Sequence, residues 1–431
     1  MKPRVETITS SQVGDSYYRI QHPTGLTILL YPKERCSTAY AMFGTRYGSI
    51  DNCFQRGDES QPELVPEGIA HYLEHKLFES EEGDAFDRFS KTGASANAFT
   101  SFDSTNYLFS STGQIYESLE ILLDFVQSPY FTEETVRKEQ GIIGQEIKMY
   151  DDDPQWRVMF NYLEAMYHAH PVRQDVAGTV ESIAKITPEL LYRCYNTFYN
   201  LGNMVLALAG NFQVDRVLEV CDRMLKPAEP LPVKRIFPFE PDSVVTSYIQ
   251  QQLPVASPLF QFGFKEPRAN QIRTEKDVAA VEVLMETLAS DASPLFRDLL
   301  DRGLVNEASF SYEYFEGNGY ATPMFSGESR DPRAVAKSIL QEVRRFQKEG
   351  IPPEAFERSK RCLYGEIVSA LNSTGNIANG LSNMELRGRG RELFTYIDAL
   401  ARLRPEDAEE KLQQIFLEEQ SVLSVILPLE P

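Results

Sequence analysis

Histidine is scarce in this chain. Only His22, His71, His75, His168 and His170 occur in 431 residues, and none lies beyond position 170. Any chemistry that needs an imidazole is therefore confined to the first half. Cysteine is also sparse, and Cys36, Cys53, Cys194, Cys221 and Cys362 form no CxxC pair. An odd, scattered set of this kind supplies no disulfide framework and points to a reducing compartment. Positive charge is in deficit, with 43 Lys and Arg against 63 Asp and Glu and a formal net charge of −20. Such a balance argues against nucleic acid as a partner, because phosphates need a basic surface. It suits a field that attracts basic peptides. Apolar runs long enough to span a bilayer are missing, and Met1 to Thr7 has no apolar signal core, so the expected location is cytoplasmic, with no membrane partner. What remains is ordinary for a folded protein of two or three domains: 42% hydrophobic and 25% charged residues.

Two of the five histidines stand four residues apart, in Pro66-Glu67-Gly68-Ile69-Ala70-His71-Tyr72-Leu73-Glu74-His75-Lys76-Leu77-Phe78. Pro66 suits a first helical turn, where its missing N–H has no partner to lose. Ile69, Ala70, Leu73, Leu77 and Phe78 then recur at helical spacing. On that helix His71 and His75 are about 40° apart around the axis, so one ion can take both. Glu74 lies about 60° from His71, within reach of a water on that ion. His-x-x-Glu-His is the inverted form of a zinc-protease signature.

The rest of the chain alternates strands and helices. Residues 16–31 read as two strands around the turn at Pro23-Thr24-Gly25, and 37–43 as a third. The stretch 51–64 reads as a loop, 94–100 and 105–110 as a hairpin, and 203–210 as a buried strand. Prolines 227, 230, 232, 238 and 241 interrupt regular structure, which places a linker at 226–242 between domains 1–225 and 243–431. Both halves open with paired strands and close with a Pro-started helix followed by an apolar strand, Pro188 to Gly210 and Pro405 to Leu427. The expected fold is thus α+β: two homologous-looking domains, each a largely antiparallel or mixed β-sheet covered by helices. The second half lacks histidine and cannot repeat the metal site. His168 and His170 read as part of a surface loop, and the Arg-rich stretch 387–391 as a solvated one.

A zinc hydrolase needs three protein ligands, and two histidines leave one to find. The helix expected from Thr132 to Tyr150 carries Val136, Ile143, Ile147 and Tyr150 on one stripe. Glu139 and Glu146 fall on or beside that stripe, seven residues apart. A carboxylate turned toward a core is costly unless a cation receives it. A boundary carboxylate with a salt-bridge partner is the alternative for each.

These residues together resemble the pitrilysin/insulinase family of zinc metallopeptidases, and in particular its short bacterial members akin to mitochondrial processing peptidase. The resemblance rests on His71 to His75, on Glu139 to Ile147, on Gly93-Ala94-Ser95-Ala96-Asn97-Ala98-Phe99-Thr100, on Tyr199 to Asn203 and on Ala209-Gly210. It implies one Zn²⁺ per chain on His71, His75 and Glu146, with Glu139 behind them and Glu74 as the catalytic base. It implies that the strand Asn97, Ala98, Phe99 and Thr100 pairs with a peptide substrate as an added strand; Asn97 reads equally well as a turn or edge residue. It also implies half of a clamshell: two such chains, as a homodimer or a heterodimer with a related chain, close a chamber around short unfolded peptides. One departure stands out. Relatives carry an Arg and a Tyr that bind substrate in the second half, where this chain has Leu300 and Asn306. That leaves a second reading, a non-proteolytic or weakly active peptide-binding subunit of a hetero-oligomeric processing complex.

Overall fold

The computed structural model describes residues 4–81, 83–267, 273–387 and 392–429. Most of the Arg-rich stretch 387–391 and the first three residues lie outside these. The first half of the chain runs β1 (Arg4–Ser10), β2 (Asp15–Gln21), β3 (Thr27–Pro32), β4 (Ala39–Thr45), β5 (Cys53–Arg56), β6 (Glu63–Leu64), α1 (Ile69–Leu77), β7 (Glu79–Ser80), β8 (Gly83–Asp84), α2 (Ala85–Thr92), β9 (Ser95–Thr100), β10 (Thr105–Ser111), α3 (Ile115–Val126), α4 (Glu133–Asp151), α5 (Pro154–Met166), α6 (Val180–Ile183), α7 (Pro188–Phe198), β11 (Met204–Gly210) and α8 (Val214–Met224). The second half runs β12 (Val233–Arg235), β13 (Tyr248–Leu253), β14 (Leu259–Phe264), α9 (Glu275–Ala289), α10 (Pro294–Asp301), β15 (Ser311–Gly317), β16 (Tyr320–Glu328), α11 (Pro332–Glu349), α12 (Pro353–Ala370), α13 (Thr374–Leu386), α14 (Leu393–Arg402), α15 (Pro405–Ile415) and β17 (Ser421–Pro428).

The internal repeat is written in the strand order. One sheet runs β1-β2-β3-β11-β4-β10-β9 and the other β13-β17-β14-β16-β15. The last five strands of the first match the second, strand for strand. β3 and β11 are parallel, as are β13 and β17, and every other neighbouring pair in these five-strand sets is antiparallel. The fold is α+β, with two mixed sheets covered by helices. All seven residues of β11 are buried, as a central strand covered on both faces requires.

The compact units do not follow a single cut at 226–242. One comprises Met1–Ile147, Asp175–Ile236 and Val368–Phe394; the other comprises Lys148–Gln174, Phe237–Ile367 and Thr395–Pro431. Each sheet takes one covering helix from the opposite half of the sequence. In the first unit α13 packs on β3, β4 and β11 and buries Ile377, Ala378 and Leu381. In the second, α5 packs on β13, β14 and β17, with Val158 against Leu259 and Ile426.

The Pro-rich stretch is also more ordered than its composition suggests. Its β12 pairs with β5, a strand within the expected loop at 51–64. Arg235 donates to the buried Asp51 carboxylate at 2.8 Å. Both contacts fasten the stretch to the first unit as far as Ile236. Among the described residues no helix is long and apolar enough to cross a membrane.

Candidate metal centre

Helix α1 is a core helix. Eight of its nine residues are buried, and only His75 keeps partial exposure. Its start differs from the expectation: the helix begins at Ile69, and Pro66 precedes it by a turn. Gly68 stands in between, in the left-handed region at φ 84°. A Cβ at Gly68 would sit 2.2 Å from the Ala177 carbonyl oxygen, and one at Gly178 2.6 Å from the Glu67 oxygen. Two glycines thus let the α1 entry press against the segment before α6, and Ser182 donates to the Glu67 carbonyl at 2.9 Å. The Tyr72 hydroxyl ties α1 to the Val136 carbonyl of α4.

Most polar side chains of this buried helix have partners, and the His71 Nδ1 has no hydrogen-bond partner among the described residues. Lys76, fully buried, meets Glu79. Glu74 accepts a 2.9 Å hydrogen bond at Oε2 from the Thr100 hydroxyl on β9. His71 and His75 point toward α4, whose buried Val136, Ile143 and Ile147 hold Glu139 and Glu146 on the facing side. The His75 Nε2–Glu146 Oε2 distance is 3.4 Å and the His71 Nε2–Glu146 Oε1 distance 3.8 Å. One ligand atom from each of His71, His75 and Glu146 lies within 4.8 Å of the other two. Behind them Glu139 Oε1 sits 3.0 Å from His75 Nδ1.

The donor set fits a divalent metal. Burial lowers the His75 pKa, but its bond to Glu139 and the charges of Glu74, Glu146 and Glu139 outweigh that and hold it above its ordinary value, so this position favours a cation. A divalent ion in place of the Nε2 proton would meet the Glu146 carboxylate, whose oxygen lies 3.4 Å from that nitrogen, while the Nδ1–H donates to Glu139. Zinc bonds to His and carboxylate of about 2.1 Å at a tetrahedral angle put ligand atoms about 3.4 Å apart. Burial, and then the neighbouring His75, push the His71 pKa well down, so its ring is neutral and can ligate. Burial raises the Glu139 carboxyl, but the His75 bond and charge outweigh it and hold it below its ordinary value. Burial pushes the Glu74 carboxyl up, and the His75 charge and the Thr100 bond offset only part of that.

Strand β9 forms one edge of the seven-stranded sheet and packs beside α1. Asn97, Ala98, Phe99 and Thr100 all lie on it. The Asn97 side chain accepts from the Ala98 N–H at 2.9 Å, and the Thr100 hydroxyl is the one that meets Glu74. That Thr100 contact and the Gly68–Ala177 contact were not read from the sequence; no spacing rule links residues on a helix to a strand 26 positions later.

In the second unit α9 occupies the place that α1 holds in the first. Glu282 and Glu286 stand there one turn apart, and the hydroxyls of Tyr396 and Tyr312 close them off. Leu300 is part-buried against that unit's core. Asn306 is exposed and accepts from the Ala308 N–H at 3.0 Å. Of the histidines outside the site, His168 is exposed but His170 is buried, so the expected surface loop holds for only one of them. Its Nε2 lies 2.9 Å from the Asn318 carbonyl oxygen, and its Nδ1 accepts from the Val172 N–H at 3.1 Å.

Comparison with known proteins gives two family models. "Insulinase (Peptidase family M16)" matches residues 62–180, and "Peptidase M16 inactive domain" matches residues 185–363. The chain is 38% identical over 429 residues to the "uncharacterized zinc protease YmfH" of Bacillus subtilis strain 168, covering 98% of this chain and 99% of that one. It superimposes with a TM-score of 0.92 and 36% identity on the crystal structure of an M16-like peptidase from Alicyclobacillus acidocaldarius, covering 100% of this chain and 99% of that one. It is 24% identical over 359 residues to a chain named as a mitochondrial-processing peptidase β subunit of Arabidopsis thaliana, covering 77% of this chain and 66% of that one.

Proposed function

The chain belongs to the insulinase family of peptidases, M16, and on that premise we propose that it is a zinc-dependent endopeptidase acting on short unfolded peptides. The observation that carries the reading is the meeting of His71, His75 and Glu146 beside the buried carboxylate of Glu74. Zinc held by those three side chains supplies Lewis acidity to a peptide carbonyl and to water. Glu139 keeps His75 in the tautomer whose Nε2 faces Glu146. Thr100 holds Oε2 of Glu74, which leaves Oε1 to take the proton of the attacking water and to return it to the leaving amine nitrogen. The raised pKa of Glu74 suits a group that must keep that proton between the two events. A substrate backbone adds to the edge of β9 along Asn97, Ala98 and Phe99, which sets its carbonyl beside α1.

The working form is a dimer, with an identical or related chain closing the chamber. The second reading, a peptide-binding subunit with little or no activity, draws on Leu300 and Asn306, neither of which offers a cation or a phenol to a substrate. Turnover of quenched peptides with and without chelator, on the purified chain alone and mixed with a related chain, separates the two. Chelator-sensitive cleavage is expected; its absence in every mixture sinks the peptidase reading. Light scattering of the native protein reads the dimer directly.

A further inference from the structure

The duplicated sheets differ at one edge. In the first unit β3, the counterpart of β13, is covered by β2, and β2 by β1. In the second unit no described strand lies outside β13. The Ser247 carbonyl accepts from the Leu423 N–H at 2.9 Å. By the alternation of a strand, the backbone groups of Tyr248, Gln250 and Gln252 then point away from β17. The Thr246 hydroxyl lies 3.2 Å from the Tyr248 carbonyl oxygen and covers that position. Gln250 and Gln252 are exposed, and their outward N–H and C=O groups have no partner among the described residues.

Beside this edge lies an open groove of about 530 Å³, lined by Tyr248 of β13 and by Arg333, Lys337, Gln341 and Arg344 of α11. Those four α11 residues are exposed, and their spacing puts them within about 80° of one another around the helix. The Arg333 guanidinium stands over the Tyr248 ring, 4.4 Å from its centroid, so the cationic face reaches the open strand. Arg344 is paired with Glu418. Arg333 and Lys337 have no acidic partner among the described residues. In a chain with 63 acids to 43 bases, two unpaired cations beside an open sheet edge select the occupant. An edge takes extended polypeptide by backbone hydrogen bonds, and Arg333 and Lys337 take carboxylates.

We propose that the β13 edge and the Arg333–Lys337 face of α11 form one docking site for an extended acidic segment of a partner polypeptide, which adds as a sixth strand. The site is independent of the metal centre and of the peptidase reading.

The test is fluorescence anisotropy on the full chain with a labelled octapeptide alternating Glu and Val. Saturable binding is expected, with an affinity loss of at least about tenfold in the R333E/K337E double variant. A Lys–Val octapeptide and a Glu–Val octapeptide N-methylated at alternate amides should both fail to bind. Gln250→Pro, which removes an outward N–H and leaves the bonds to β17, should weaken binding while the melting temperature of the R333E/K337E protein stays near wild type. No binding of the Glu–Val peptide, equal binding of its N-methylated form, or unchanged binding by R333E/K337E overturns the proposal. A fall in native mass on light scattering of R333E/K337E overturns it too, since the occupant would then be a second copy of this chain.

Discussion

The Thr100 hydroxyl on β9 donates to Oε2 of Glu74 on α1 at 2.9 Å, so the sheet edge expected to receive substrate also orients the candidate base. In the proposed mechanism, substrate binding and proton transfer draw on the same strand. Thr100→Val removes the bond at nearly constant shape. A hydrogen bond to a charged group contributes about 1.5–3 kcal/mol, so kcat should fall about 10- to 100-fold. KM and zinc content should hold, and Thr100→Ser should restore most of the rate. A loss confined to KM would mean that Thr100 serves the substrate and not Glu74.

Glu139 tests the support behind the ligands. It touches His75 Nδ1 and is not one of the three grouped ligands. Glu139→Gln keeps the volume and loses the charge that fixes the His75 tautomer. Zinc affinity, measured by competition with a chromophoric chelator, should weaken about 10- to 100-fold. Unchanged affinity would place the orientation of His75 elsewhere.

Gly68→Ala tests how α1 is seated. The new Cβ meets the Ala177 carbonyl oxygen at 2.2 Å, in a backbone conformation that L side chains rarely adopt. The expected cost is about 1–3 kcal/mol from the conformation, with the clash adding to it. Thermal unfolding should show the loss, and zinc affinity should fall with it because both histidines ride on α1. A variant as stable as wild type would contradict the close approach.

His170 gives the second unit an acid-sensitive point. Burial is the largest cause and lowers its pKa to about 4, against an ordinary 6.5. The neutral ring donates from Nε2 to Asn318 and accepts at Nδ1 from Val172; a second proton breaks the latter bond. Because the folded pKa is depressed, the stabilisation is full above about pH 6.5 and is lost as the pH falls toward 4. The shift corresponds to at most about 3.4 kcal/mol. Unfolding followed from pH 7 to 4.5 should therefore show a smaller acid loss in His170→Asn than in wild type. Equal losses would remove His170 as a source.

Much of the site was legible because its signals are local. The spacing of His71, Glu74 and His75 is a property of one helix, and Glu139 and Glu146 betray themselves as carboxylates on an apolar stripe. In the two large sheets the strands other than β1 (β2 to β4, β9 to β11 and β13 to β17), like the helices flanking each sheet, follow from periodicity. β1 did not, since Arg4–Ser10 is largely exposed and polar and owes its strand to β2. Contacts far apart in sequence stayed hidden. Nothing in Pro154–Met166 or Thr374–Leu386 says which of two similar sheets it will cover, because both sheets offer the same kind of apolar face. The Pro-rich stretch misled for a related reason: β12 is held by β5 and Asp51, not by its own composition. His170 looked like a loop residue because its burial comes from Phe237, Tyr320 and Tyr167 around it.

Turnover of a quenched peptide by zinc-loaded Glu74→Gln protein tests the central claim most directly. The substitution keeps the size of the side chain and its place beside Thr100, and removes its ability to carry a proton. The protein should retain one zinc per chain and a wild-type melting temperature, while cleavage falls by about 10²- to 10⁴-fold. Cleavage at the wild-type rate by that zinc-loaded variant would contradict the assignment of Glu74 and the mechanism built on it.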